Sequence, residues 1–183
     1  MPNPDTGPII VPLSRTKIII LLLGSVGFVA IAVAVWPAVS ALPDDDPWTL
    51  VGKILLAITV VFFGGCGLYA VWKFFDSAPG LIIDQQGIVD NSSGVSAGRI
   101  PWSEIKAVHV TTVEFQRFLT IEVRDPEKYI QRASFLKRQL VKLNAAYFDS
   151  PIQISALTLK IDFDELLDIV TRRLEKFRGQ RLQ

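Results

Sequence analysis

The sequence predicts an α+β chain, with an N-terminal transmembrane helical hairpin ahead of a small barrel or sheet domain that has an inserted helix and a C-terminal capping helix. Three observations predict it. Two long apolar runs are crowded before residue 73, short alternating runs begin after Pro79, and an amphipathic segment closes the chain. The expected divisions are an N-terminal cytoplasmic segment (1–17), the hairpin (18–72), a folded domain (79–178) and a short tail (179–183).

With 183 residues, the chain has room for one ordinary domain and an added element. Half of the residues are apolar and the formal net charge is +1, a balance that points to neither nucleic acid nor an acidic partner. A single cysteine, Cys66, excludes an internal disulfide and any multi-cysteine metal site.

The first run, from Ile18 to Leu42, contains no ionisable residue. The second, from Thr49 to Trp72, has one charge, Lys53, near its start, where a lysine snorkels to the headgroups. About 20 apolar residues cross a bilayer core, so both runs are long enough. Between them lies PDDDPW, whose prolines end helices and whose three aspartates are costly in lipid. Arg15, Lys17 and Lys73 flank the spans on one side, and the connecting loop has no Lys or Arg. The positive-inside rule therefore puts both termini and the folded domain in the cytoplasm, with Asp44–Asp46 outside. Trp36, Trp48 and Trp72 lie near span ends, as interfacial belts prefer. Val39-Ser40-Ala41 has the form of a signal-cleavage site, but the apolar run before it is far longer than the roughly 7–15 residues of a signal peptide.

Gly24 and Gly27 in the first span, and Gly64 and Gly67 in the second, fall at similar depths in an antiparallel pair, where missing side chains let backbones approach. Cys66 reads as a small packing residue beside them. Neither span has a buried Asp, Glu, His or Arg of the kind that marks an ion path, so anchoring is favoured over transport.

In the folded domain, Leu81–Asp84 and Gly87–Asp90 flank a turn and form a hairpin. Ile105–Val113 is rich in β-branched residues, Leu119–Arg124 alternates, and Ile152–Ile154 and Leu157–Ile161 read as short strands. Glu127–Tyr147 reads as one helix with Tyr129, Ala133, Leu136, Leu140 and Leu143 on its apolar side. The last helix is capped by Asp162, with Glu165 as capping-box partner, and buries Phe163, Leu166, Val170, Leu174 and Phe177. Acids fill its first turns and bases its end, which suits the helix dipole.

Short antiparallel strands closed by a C-terminal helix give the outline of a pleckstrin-homology (PH)-like barrel. The stretches "PGLIIDQQGIVDNSSGVSAGRIPWSEI" and "YFDSPIQISALTLKIDFDELL", with DNSS and IPWSEI as the more specific strings, resemble a family of bacterial membrane proteins of unassigned function. That family has two transmembrane segments followed by a PH-like domain. The resemblance implies a location in the bacterial cytoplasmic membrane and offers no catalytic residues. Lipid-binding PH domains have basic residues around the first hairpin. Here the expected first hairpin, LIIDQQGIVD, has Asp84 and Asp90 and no Lys or Arg.

Two stretches compete for a functional role. The polar loop after Asp90, with Asn91, Ser92, Ser93, Ser96 and Arg99, is a candidate interaction loop whose Asp, Asn and Ser residues also suit side-chain-to-backbone turns. A hydrolase would need His109, the only histidine, together with a loop serine (Ser92, Ser93, Ser96 or Ser103). No nucleophile elbow, phosphate loop or cluster of metal ligands supports that chemistry. The other candidate is the basic surface of Lys128, Arg132, Lys137, Arg138 and Lys142, suited to anionic headgroups. The sequence therefore favours a non-catalytic interaction module without a cofactor. Its expected partners are the lipid bilayer and either another protein or a second copy of itself, and not nucleic acid. The alternatives are the His109 hydrolase and an oligomeric transport component.

Overall fold

The computed structural model describes residues 7–43 and 45–180, with the side chains of all of them except Leu136 and Tyr147. The expectations for residues 1–6, Asp44, the Leu136 side chain and residues 181–183 lie outside the described residues. The chain forms two compact units, Arg15–Ser77 and a second one built from the residues on both sides of it.

The first unit is a pair of helices, α1 (Arg15–Ser40) and α2 (Pro47–Phe74). Their 26 and 28 residues extend about 39 and 42 Å at 1.5 Å per residue, enough to cross a hydrocarbon core of about 30 Å. Pro47 opens α2 at a position where a helix needs no N–H bond, and Asp46 caps it by accepting from Trp48 N at 3.2 Å. At the other end of the pair, the Arg15 guanidinium lies 5.7 Å from the Phe74 ring centre, and Lys73 pairs with Asp76 at 2.8 Å.

The helices pack through a different set of small residues from the one expected. Of the four expected glycines, only Gly67 comes close to the facing helix; a Cβ there would lie 3.5 Å from Ser25 and 3.9 Å from Leu22. Gly24, Gly27 and Gly64 face no neighbour within 4 Å. Ser25, Ala32, Thr49 and Ala70 are buried, Gly52 approaches Val39, and Phe28 stacks on Phe63 at 4.2 Å. Cys66, expected as a packing residue, is exposed. Depth along the span could be counted from the sequence, but the rotation of each helix about its axis could not.

The second unit contains two antiparallel sheets. One has the order β1 (Ile9–Val11), β2 (Leu81–Ile83), β3 (Gly87–Asp90) and β4 (Gly98–Pro101); the other comprises β5 (Ile105–Val113), β6 (Gln116–Val123) and β7 (Gln153–Ile154). Inward positions on both sheets are aliphatic. Leu81, Ile83, Ile88, Ile100, Leu119, Ile121 and Ile154 are fully buried, together with Leu159 and Leu166. Trp102, also buried, donates from Nε1 to the carbonyl of Asp84 at 2.9 Å and so ties the start of the second sheet to the β2–β3 turn. Gly87 is required at that turn, because a Cβ there would lie 2.1 Å from the Ile100 carbonyl oxygen.

Strand β1 is the main departure from expectation. Ahead of the helices, Ile9, Ile10 and Val11 pair with Ile83, Ile82 and Leu81. The alignment continues through Leu13, which bridges Leu159, and Lys160 N, which donates to the Pro12 carbonyl at 2.9 Å. The helix pair is thus inserted into the connection between β1 and β2. The first hairpin of the sheet is the one that the helices interrupt, and the Asp84–Gln86 turn belongs to the second.

Two other elements differ. Leu157–Ile161 is not a strand; Ala156–Thr158 forms a 3-10 turn, with Ser155 Oγ accepting from Leu157 N at 3.1 Å, and only Leu159 makes a bridge. The expected single helix is two, α3 (Pro126–Arg132) and α4 (Phe135–Phe148), separated by extended backbone at Ala133 and by Ser134. The break resets the helical phase. Val141 is buried and Ala145 packs partly buried beside Val95, Ile130 and Ala133, whereas Leu140 and Leu143 face outward, 49% and 65% exposed. The last helix, α5 (Phe163–Gln180), buries Leu166, Val170 and Leu174 as its spacing requires, with Phe163 and Phe177 at the margin of the core.

Replacing residues 15–77 by a glycine-serine linker should leave a cooperatively folding sheet domain, because both sides of the insertion belong to one sheet. Starting the chain at Pro79 instead removes β1 and the buried Val11. Thermal unfolding should then show a loss of about 2–4 kcal/mol, or 10 °C or more for a domain of this size. Equal melting temperatures for the two chains would show that β1 contributes nothing.

Candidate functional site

The polar loop is built around one carboxylate. Asp90, at the end of β3, is buried and accepts from Ser92 N at 2.9 Å, Ser92 Oγ at 2.6 Å and Ala97 N at 3.0 Å. Burial raises its pKa, against the opposite pull of those donated bonds. Ser92 is itself buried, and its carbonyl accepts from Thr158 Oγ1 at 2.6 Å. Ser96 Oγ accepts from Ser93 N and donates to the Ser93 carbonyl, each at 2.7 Å, while Ser93 Oγ accepts from Val95 N at 3.3 Å. Asn91 N donates to the Gly80 carbonyl at 2.9 Å and its Nδ2 to that of Pro79 at 3.4 Å. Gly98 closes the loop at φ +71°, a conformation that favours glycine. These polar side chains satisfy backbone groups of their own turn and of its neighbours, the use to which Asx and Ser turns put them.

Arg99 lies outside this knot, on β4. Its guanidinium reaches Asp84 Oδ2 at 3.0 Å and Gln86 Oε1 at 3.3 Å, bracing the β2–β3 turn from the neighbouring strand.

The five basic residues do not share one outward face. Lys128 pairs with Glu104, which also accepts from the Tyr129 hydroxyl at 2.7 Å. The bond from Lys128, and then that from Tyr129, hold the Glu104 carboxyl below its usual range. The Arg132 guanidinium lies 5.4 Å from the Tyr129 ring centre. Lys137 Nζ donates to the carbonyl of Ser96, linking α4 to the polar loop. Arg138 donates to the carbonyls of Gln131 at 3.0 Å and Ala133 at 3.2 Å, satisfying the end of α3. Lys142 is exposed and has no bonded partner among the described residues.

The two candidate surfaces meet at a cavity of about 60 Å³, lined among others by Ser96, Ala97, Arg132, Lys137 and Val141. It has room for ordered water and falls well below the roughly 300–1,000 Å³ of small-molecule sites. His109 stands apart. It is half-exposed on β5, opposite Thr120, with Nδ1 3.5 Å from Glu122 Oε1. Ser92, Ser93 and Ser96 are bonded within their own loop, and His109 is paired with Glu122 and with none of these three. Among the described residues, no three His, Cys, Asp or Glu side chains gather in a way that would hold a metal ion.

Several apolar side chains are exposed: Leu140 and Leu143 on α4 and Leu157 in the 3-10 turn, which the residue pattern places inside, and Phe135 on α4 and Phe115 at the β5–β6 tip, to which it gives no role, with the exposure of Phe115 complete. Only the fold shows which apolar letters stay out of the core. Comparison with protein-family models, with curated proteins and with solved structures finds no match for this chain.

Two contrasts follow. Asp90→Asn replaces one acceptor oxygen by a donor facing an N–H, and should cost about 1–3 kcal/mol in thermal unfolding at pH 7; His109→Ala should stay within about 0.5 kcal/mol of the parent. Because Glu104 has a depressed folded pKa, its contribution is complete above its usual value of 4.5 and is lost as the pH falls through the lower folded value. Glu104→Gln should therefore cost about 1 kcal/mol or less at pH 7, a difference that closes on acidification. A difference that widens in acid would contradict the assignment.

Proposed function

We propose that the chain is a membrane-anchored, non-catalytic interaction module, with a PH-like domain held at the cytoplasmic face of a bacterial membrane. One observation carries the reading: Ile9–Val11 and Leu81–Ile83, on either side of the two apolar helices, are neighbours in one sheet. Both ends of the hairpin must then emerge on the same side of a membrane that it crosses, so the hairpin crosses twice. Arg15, Lys17 and Lys73 at that end, against Asp45 and Asp46 in the connecting loop, favour the cytoplasm for the sheet domain.

The PH-like reading is supported by four antiparallel strands followed by three more and a terminal helix. A connection between the first two strands that is occupied by membrane helices cannot also cradle a soluble headgroup, which argues against capture of free phosphoinositides. What remains available for a protein partner or a second copy is the outward side of α4, where Phe135, Leu140 and Leu143 accompany Lys142.

Topology is tested with single cysteines in a Cys66→Ala background. Asp45→Cys should react with an impermeant maleimide added to intact cells, and Gln85→Cys only after permeabilisation; the reverse pattern would invert the orientation. Leu143→Asp should abolish co-isolation of any stoichiometric partner from native lipid while leaving the melting temperature of the sheet domain unchanged. Undiminished co-isolation would remove α4 as the interaction surface.

A further inference from the structure

Alternating strand direction sorts the connections of the sheet domain between two ends. The chain leaves the domain at Ser14 and returns at Ala78. Ser14 N donates to the Thr158 carbonyl at 2.8 Å, and Asn91 N donates to that of Gly80 at 2.9 Å. Gln116 Nε2, at the base of the β5–β6 turn, donates to Ser155 Oγ at 2.9 Å, next to the Ala156–Thr158 turn. The polar loop, the 3-10 turn and the β5–β6 tip therefore share the end at which the helix pair is attached. The β2–β3 turn, Trp102–Glu104 and Arg124 are joined at the other end, through Trp102 N to the Gln86 carbonyl at 3.1 Å and Arg124 N to the Glu104 carbonyl at 2.9 Å.

Two large apolar side chains stand out at the attached end. Leu157 is 46% exposed and Phe115 is 103% exposed, so Phe115 adds nothing to the core. It occupies a two-residue turn closed by Val113 and Gln116, with Glu114 at φ +51°. Glycine, asparagine and aspartate are the usual residues of such tips, and turn chemistry gives no reason for an aromatic ring there. Ser14 directly precedes α1, and only Phe75–Gly80 separate α2 from β2. At about 3.5 Å per extended residue, that tether limits how far this end can stand from the helix termini.

We propose that Phe115, assisted by Leu157, inserts into the interfacial layer of the bilayer and holds the sheet domain against the membrane at a point additional to its two covalent links. The inference rests on reading α1 and α2 as membrane-spanning. An aromatic side chain gains from the headgroup–acyl boundary, where its ring leaves water. The contact is apolar in character: Glu114 flanks the ring, and the nearby Arg117 is paired with Asp164 at 2.9 Å. Anionic lipid is therefore not needed.

The test uses the full chain with Cys66→Ala in phosphatidylcholine nanodiscs, carrying one spin label at Phe115→Cys, Gln85→Cys or Ile58→Cys. Collision rates with oxygen and with a water-soluble nickel chelate report depth. The label at 115 should show an oxygen-to-nickel ratio several-fold above that at 85, and adding phosphatidylglycerol should leave it unchanged. A ratio equal to that at 85, with the label at 58 deep in lipid, would place the tip in water or against a protein and overturn this inference alone. A ratio that rises only with phosphatidylglycerol would overturn the apolar contact in favour of charge. An aqueous label at 58 would overturn both the spanning reading and the inference.

Discussion

The pairing of Ile9–Val11 with Leu81–Ile83 is the constraint on which the rest of the structure depends. A three-residue strand has little stability by itself. It holds here because Val11 is buried in the core and because the chain continues through Leu13 to bridge Leu159. The result is a domain interrupted by two long helices and closed again behind them. Loop-closure entropy rises only slowly with loop length, so a long insertion between paired strands is tolerated if its own ends lie close together. An antiparallel helix pair meets that condition, since α1 begins and α2 ends at one end of the pair, where Arg15 meets Phe74.

The same economy governs the polar residues. A loop rich in serine, asparagine and aspartate invites a catalytic reading, yet Asp90 and Ser92 are almost wholly removed from solvent and bonded to the backbone around them. A buried carboxylate is costly unless several donors meet it, and here two N–H groups and a hydroxyl do so. The bonds from Thr158 to Ser92, and from Lys137 to Ser96, then join this loop to the chain after β7 and to α4. The charge of α3 and α4 is similarly spent. Lys128, Lys137 and Arg138 each serve the domain, which leaves a smaller and more apolar outward surface than their letters suggest.

Much of the architecture was legible from residue pattern. A run of β-branched residues located β5 and alternation most of β6, the Asp-Gln-Gln-Gly turn located β2 and β3, and i, i+3, i+4 spacing found the buried side of α5. Hydropathy found both long helices. Strand β1 escaped because three apolar residues have no measurable period and stand almost against an apolar helix. The break between α3 and α4 escaped because Ala133 and Ser134 include neither glycine nor proline, so Leu140 and Leu143 were assigned to the wrong side. Of the candidate site residues, Lys142 is exposed, while Arg99 and Lys128 are bonded to Asp84 and Glu104. Sequence shows which residues are charged; the pairing of strands and loops decides which of those charges are already used.

The most direct test of the split domain is a disulfide across the insertion. Ile10 faces Ile82 in the register of β1 and β2, although the helix pair separates them in the chain. With Cys66→Ala, a chain carrying Ile10→Cys and Ile82→Cys should cross-link under mild oxidation in native membranes, and proteolysis between α1 and α2 should then leave the two pieces joined until reduction. A chain carrying Ile10→Cys and Val110→Cys should not cross-link. Failure of the first pair to form, or equal yield from the second, would mean that the segment before the helices does not belong to the sheet.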